Sequence, residues 1–487
     1  MTQPNLILIE CDSMDGRWMG CMNHPAMARA TPNLDALAER GVLFRNTYTN
    51  NPVCCPSRAS MFSGLYTHHC EGWNNYKGLE PGEPTFLTRL DEAGYRTQTF
   101  GKTDYLSGHH TIRARVSPWT RSAFIPRNEY RMEGPEIIDG EVKRVHEYDW
   151  KTVDRGVSWL EEAATDPETP FTLYLGLNAP HPAFRTSSYW LDKVDEAGIT
   201  VPPEDQHHHP ALAYQRFHKN WLHGFDDDTV LTVRRIYAAM IAETDAMVGA
   251  VMDAVDRLDL AATTAIIFIS DHGELAMDHR QFYKMSMYEG SVRVPMIVAG
   301  PEVSGGRIID DLVSLIDIYP TLMDMTGTPG PESLEGHSLT PLVQGDQDEG
   351  RPDVVLSQFH GSTLPTGTFM LRQGPWKYVA YVGYPPQLFN LEDDPEEIHD
   401  LAETRSDVVK ELDDRLRQMV DYEAVDARVK AYDRRAFAEW RSAHRAEGTY
   451  EQLMARVYSG WDHLTADDIR PWTPEDEALI IDWLKGG

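Results

Sequence analysis

Five short strand-like runs constrain this chain more than any other feature of its sequence. They are Leu6–Glu10, Arg96–Phe100, Phe171–Gly176, Ala265–Ser270 and Val294–Ala299, and segments of helical pattern lie between them. Such alternation predicts a mainly parallel α/β sheet with helices packed on it. Thr31-Pro32 ahead of Asn33–Arg40 reads as a helix start, with Thr31 as cap and proline at the first helical position. Between Arg234 and Leu258, Ile236, Met240, Met247, Val251 and Val255 recur at a spacing that lays them along one helix face.

The 487 residues suffice for one large domain and a smaller one, each with its own core. Gly327–Asp353 is rich in Pro, Gly and acidic residues and marks the expected boundary, between a main domain over 1–350 and a C-terminal one over 351–487. In the second, Val354–Ser357, Phe369–Arg372 and Lys377–Tyr381 read as strands of a small antiparallel sheet, with a helical tail behind them.

Composition narrows the function. With 41% hydrophobic and 25% charged residues the chain is an ordinary globular one. No apolar run approaches the roughly 18–20 residues that cross a bilayer. The chain enters Leu6–Ile9 almost at once, without the basic segment and long apolar stretch of a signal peptide, so a cytoplasmic location is expected. Cys11, Cys21, Cys54, Cys55 and Cys70 are odd in number and crowded at one end, and read as reduced thiols. A net charge of −31 disfavours nucleic acid and anionic membrane as partners. It does not bar a small anionic substrate, because charges more than about 8–10 Å away are largely screened at physiological salt. His207-His208-His209 reads as part of a solvated loop, since adjacent loop histidines do not easily face one ion.

Chemistry-bearing residues stand at the ends of the strand runs. Asp12 follows the first, Gly101-Lys102-Thr103-Asp104 the second, His181 lies just past the third, and Asp271-His272-Gly273 follows the fourth. The carboxyl ends of parallel strands are where open α/β sheets hold ligands. Between the first two runs lies Cys54-Cys55-Pro56-Ser57-Arg58, followed by six residues ending in Ser63-Gly64. Pro56 suits the first turn of a helix, and helix N-termini favour anions.

This last segment resembles the signature of type I sulfatases, C-x-P-S-R with a later Ser/Thr-Gly. The resemblance implies an alkaline-phosphatase-like fold, a mostly parallel sheet flanked by helices with a smaller C-terminal α+β domain. It implies that a formylglycine-generating enzyme oxidises Cys54 to formylglycine. A hydrated aldehyde carries two hydroxyls on one carbon: one attacks sulfur, and the other later loses its proton and expels sulfate as the aldehyde reforms. One divalent metal is implied, held by Asp12, Asp271, His272 and the modified Cys54. The usual pattern has Asp-Asp at the first position and Asp-Asn at the second; here Ser13 and His272 replace the second member of each. Oxygen ligands favour Ca²⁺ or Mg²⁺, and a histidine nitrogen admits Mn²⁺ or Zn²⁺. Ca²⁺ is expected, with Mn²⁺ second, and Asp15 is an alternative source of the lost carboxylate.

By the same resemblance Arg58 braces the metal ligands, Lys102 and Lys284 clamp sulfate oxygens, and His181, with Lys284, protonates the leaving oxygen. The family usually carries Lys-x-His where this chain has Lys102-Thr103-Asp104, so Asp104 is the candidate base for releasing sulfate. Asp12-Ser13-Met14-Asp15-Gly16, Trp73-Asn74-Asn75, Ser107-Gly108-His109-His110, Gln281–Glu289 and Phe359-His360-Gly361 are similar to a branch of the family that removes the 2-O-sulfate of a uronate. A uronate needs a cation for its carboxylate, and His109, His110, Arg113, Arg115 and His360 are candidates. The expected partner is therefore a glycan or small-molecule sulfate ester, with the oligomeric state open. Competing readings are a formylglycine-dependent phosphonate monoester or phosphodiester hydrolase, and a non-catalytic glycan-binding protein on the same fold.

Overall fold

The computed structural model describes residues 3–486 apart from 109–115, 117, 124–133, 206–207, 220, 223, 362 and 459–471. An eight-stranded sheet forms the centre of the molecule. Its strands are β1 (Asn5–Cys11), β2 (Val42–Tyr48), β3 (Arg96–Gly101), β5 (Phe171–Gly176), β7 (Thr264–Ser270), β8 (Arg293–Val294), β9 (Met296–Ala299) and β10 (Arg307–Ser314). Two further short strands, β4 (Glu136–Ile138) and β6 (Arg185–Ser187), pair with each other outside it. The order is β10-β2-β9-β7-β1-β5-β3, with β8 paired to β2. All of this path is parallel except β9, which opposes both of its neighbours.

The alternation of side chains along β1 explains why it is central. Ile7, Ile9 and Cys11 enter one core and Leu6 and Leu8 the other, so the strand is buried on both faces. The first core is filled by the long helix Asp227–Arg257, whose Ile236, Met240, Met247, Val251 and Val255 are fully or almost fully buried, together with helices Pro32–Arg40 and Glu147–Ala163. Helices Cys54–Ser63, Phe86–Glu92 and Ile318–Thr326 cover the opposite face. Each such buried aliphatic side chain contributes about 1.5–3 kcal/mol.

Several local expectations change. The run Val294–Ala299 is two strands, because Pro295 has no N–H to place in a ladder. The long helix begins at Asp227, before the apolar stripe, since the Asp226 carboxylate accepts from the Thr229 N–H at 2.8 Å and caps it. Helix Pro32–Arg40 starts where expected, but the Thr31 hydroxyl accepts from the Gly20 N–H instead of capping it. The carboxylate of Asp245 takes over, accepting from the backbone of Leu34 at 2.7 Å and from the Asn33 amide side chain at 2.7 Å. Strands β2 and β10 are additional to the sequence reading. Ahead of helix Pro210–His218, His208 is exposed in a loop and faces Asp205, while His209 caps the helix and stacks on Tyr381 at 4.1 Å; His207 lies outside the described residues.

A second, antiparallel sheet runs β11 (Val354–Phe359), β12 (Thr368–Gln373), β13 (Trp376–Tyr381) and β14 (Gln387–Asn390). One face packs Val355, Met370, Val379 and Phe389 against Met285, Met287 and Tyr288. The other packs Leu356, Phe369, Leu371 and Tyr378 against helices Ser406–Met419 and Tyr422–Glu447. Among the described residues no helix is long and apolar enough to cross a membrane.

Candidate active site

Register alone gathers the strand-end residues. Cys11 lies opposite Ser270, so Asp12 and Asp271 leave the sheet side by side. Gly101 lies opposite Gly176, and the ladder continues one step, with the Lys102 N–H donating to the Gly176 carbonyl at 2.9 Å. The chains cross closely there: a Cβ at Gly176 would lie 1.7 Å from the Lys102 carbonyl oxygen, and Gly101 has φ +80°. Helix Cys54–Ser63 begins directly at Cys54 and is buried from Cys54 through Phe62, with Gly64 closing it at φ +70°.

These elements bring Asp12, Cys54, Asp271 and His272 into one buried cluster, one ligand atom of each lying within 4.8 Å of the others. His272 Nε2 is 3.2 Å from the Cys54 sulfur. Its Nδ1–H donates to the Gly273 carbonyl at 2.9 Å, which leaves the Nε2 lone pair facing the cluster, the tautomer a metal-bound imidazole needs. The donor set, two carboxylates with an imidazole and the side chain at position 54, suits a divalent cation, so the residues fit the metal that the sequence implies. Ser13 fills the place of the missing carboxylate, its hydroxyl donating to Asp12 at 3.1 Å. Asp15 is not a ligand: both its oxygens are taken by the Arg17 guanidinium, at 2.6 Å for the closest pair.

Cations surround the cluster. Lys102 pairs with Asp12, and Lys284 Nζ lies 3.5 Å from the Cys54 sulfur and 2.7 Å from His181 Nε2. Arg58 is fully buried and reaches Asp271 at 2.9 Å, Glu10 at 3.2 Å and the Tyr174 hydroxyl at 2.7 Å; it holds the acids and does not face the sulfur. Burial and Asp12 push the Cys54 thiol up, yet Lys102, Lys284 and His272 together bring it below its ordinary value. Burial likewise raises Asp12, but Lys102, His181, His272 and Lys284 hold it well below the usual carboxylate range. Burial, with Lys284 beside it, pushes His181 down to about 3.

Asp104 sits at φ +40° with its carboxylate 3.6 Å from Lys102 Nζ, and it is outside the metal-ligand cluster. A cleft of about 680 Å³ opens beside it, lined by Lys102, Asp104, His146, Tyr148 and Asn178. His360 is not brought to the cluster: it is fully buried with its ring against Trp73 and Phe369. His109, His110, Arg113 and Arg115 lie outside the described residues.

Two supporting acids escaped the sequence reading. Asp149 accepts from the backbone N–H of Asn178 at 3.0 Å and of Ala179 at 2.7 Å, and so anchors the loop that carries His181. Glu274 accepts from the backbone of Ala276 and Tyr283 and shapes the loop that carries Lys284. Neither has a sequence signature, since an anchoring carboxylate on a helix or loop looks like any surface acid until its partners are known.

Comparison with known proteins agrees with this geometry. The family described as Sulfatase matches residues 4–328, and the one described as N-sulphoglucosamine sulphohydrolase, C-terminal, matches 277–422. The chain is 42% identical to arylsulfatase K of Canis lupus familiaris and of Homo sapiens, in each case over 99% of this chain and 93% of the relative. It is 40% identical to arylsulfatase K of Danio rerio, over 99% and 95%. Among solved structures, a phosphonate monoester hydrolase of Agrobacterium radiobacter superposes with a TM-score of 0.69 at 23% identity, covering 88% of this chain and 96% of that one. A 2-O GAG sulfatase superposes with a TM-score of 0.69 at 22% identity over the same shares, and both likenesses bear on the fold. The chain belongs to the sulfatase family, whose members hydrolyse sulfate monoesters with a divalent metal and a formylglycine made from a cysteine.

Proposed function

We propose that this sulfatase removes the 2-O-sulfate of a uronate in a glycan, with Cys54 as the residue converted to formylglycine and Ca²⁺ held by Asp12, Asp271, His272 and position 54. The observation that carries the assignment of the site is the buried convergence of those four ligand atoms with Lys102 and Lys284 on either side. The choice of substrate rests on the likeness to arylsulfatase K and on the 2-O GAG sulfatase with the same fold.

Bound there, the cation would draw charge from the attacking and sulfate oxygens, and the aldehyde hydrate would supply nucleophile and exit route on one carbon. The chain's own residues do the rest. Lys102 and Lys284 bracket position 54 and stabilise negative charge on the sulfate as it is transferred. His181 has its Nδ1–H committed to the Pro182 carbonyl at 2.5 Å, so Nε2 accepts from Lys284. The proton that reaches the leaving oxygen therefore starts on Lys284 Nζ, directly or by way of His181. Arg58 neutralises Asp271 and Glu10 from behind, and its full burial keeps water from that side.

The test compares sulfate release from a uronate 2-O-sulfate disaccharide, a hexosamine 6-O-sulfate and an aryl sulfate, with an aryl phosphonate alongside. Fastest turnover of the uronate ester supports the proposal. A faster phosphonate would point to the monoester hydrolase activity instead, and preference for the hexosamine would remove the substrate assignment alone. Peptide mass should place the aldehyde at Cys54 and leave Cys55 a thiol.

A further inference from the structure

A second group of metal-ligating side chains stands apart from the active site. Helix Thr67–Cys70 follows the turn at Gly64 and carries His68 and His69 side by side, with ring centroids 4.0 Å apart. His69 Nδ1 lies 2.8 Å from one oxygen of Glu335. The other oxygen of Glu335 accepts from the Tyr66 N–H at 2.8 Å, and the Glu335 N–H donates to the Gly64 carbonyl at 3.0 Å. The carboxylate is thus delivered to the two rings by contacts 266 and more residues apart in sequence. One ligand atom of each of the three residues lies within 4.8 Å of the others. His68 is buried and its ring is fixed by a 2.8 Å contact between Nδ1 and the Gln358 amide, whereas His69 is 54% exposed. The Gln358 Oε1 is buried without a hydrogen-bond partner, so a half-turn of that amide presents an acceptor to Nδ1–H and supports the other ring tautomer.

We propose that His68, His69 and Glu335 form a second metal site, for a borderline cation of the Zn²⁺ class with water completing its coordination. Two imidazoles and one carboxylate are the ligands such an ion prefers, and they leave one position open on the exposed side. The same donors are a poor set for Ca²⁺, which takes six to eight oxygens. The two sites therefore separate by chemistry: hard oxygen donors predominate at Asp12 and Asp271, and nitrogen donors at His68 and His69. A cation here would tie the loop around Glu335 to the turn that ends the helix bearing Cys54, and would act as a staple rather than a catalyst.

The experiment titrates mature, Ca²⁺-loaded protein with Zn²⁺ by calorimetry, and locates the ion by anomalous diffraction at the zinc edge. The expected result is a Zn²⁺ equivalent whose affinity falls at least tenfold in both His69→Ala and Glu335→Gln, with sulfatase turnover unchanged in His69→Ala. The anomalous peak should lie between the three side chains, and Zn²⁺ should raise the melting temperature of the wild type but not of His69→Ala. His69 is at the surface, so its loss leaves the fold intact. Equal zinc binding by wild type and His69→Ala, no binding by the wild type, or a peak elsewhere would each overturn the proposal.

Discussion

Lys284 and His181 share one hydrogen bond of 2.7 Å, and this makes the demand for a proton testable at single residues. An aryl sulfate with an acidic phenol needs little protonation as it leaves, whereas a sugar alkoxide needs a full proton. Lys284→Ala should therefore lower turnover of a sugar sulfate by about 10²–10⁴-fold. The loss on 4-nitrophenyl sulfate should be much smaller, and a plot of rate against leaving-group pKa should steepen. An equal loss on both would mean that Lys284 only binds sulfate. Asp104 makes the complementary case. It is 3.6 Å from Lys102 and 23% exposed in its side chain, close enough to order that lysine. Acting as the base for sulfate release, it should leave Asp104→Asn able to release alcohol in a single turnover and then accumulate sulfated enzyme, visible by intact mass. If Asp104 only positions Lys102, the first step slows and no adduct builds up.

At the scale of elements, the site depends on loops fastened by buried acids. Asp149, in helix Glu147–Ala163, accepts three N–H groups from Asn178 and Ala179. Asp149→Ala would leave these donors unpaired in a buried place and should cost about 1–3 kcal/mol in urea unfolding. It should also let His181 drift. A displacement of about 1 Å at a catalytic group typically costs on the order of 10²-fold, so kcat should fall with little change in metal content. Arg58 plays the corresponding part on the helix side, where one guanidinium joins the end of β1 to Asp271.

Across the whole molecule, the two sheets are locked by a charged group as well as by apolar packing. Lys377 in β13 is fully buried and reaches Glu289 at 2.8 Å and Glu397 at 2.7 Å; Glu289 also accepts from the Tyr48 hydroxyl at the end of β2. Glu289 closes the segment that carries Lys284, Met285 and Met287, so the second sheet supports one wall of the active site. Lys377→Met fills similar space but leaves buried Glu397 without its cation and Glu289 with only the longer 3.5 Å pair to Arg293. It should destabilise the protein by about 3–5 kcal/mol, read from chemical denaturation. Turnover should fall as well, because the wall behind Lys284 loosens.

Much of this protein was legible in its sequence because parallel strands leave a strong local signal. The apolar runs at Leu6, Phe171 and Ala265 had to be buried on both faces, and the residues just beyond them had to emerge at one edge of the sheet. Asp12, Lys102, His181 and Asp271 stood at that edge, and the resemblance to the sulfatase signature at Cys54 gave them, with Lys284, their expected roles. Tertiary structure decided the rest. Strands β2 and β10 lack a run apolar enough to stand out, with Arg45, Asn46, Asp310 and Asp311 within them, and they exist because each pairs with the other. Asp15 stood as an alternative source of the lost carboxylate, and the position of Arg17 removed it. Asp149, Glu274 and Lys377 carry no local mark, because an anchoring charge is defined by partners far away in the chain. The sequence by itself determined which residues reach the active edge, since register follows from short-range alternation. The tertiary structure decided which of them meet, since hydrogen bonds and ion pairs act over a few ångströms between segments that sequence distance does not relate.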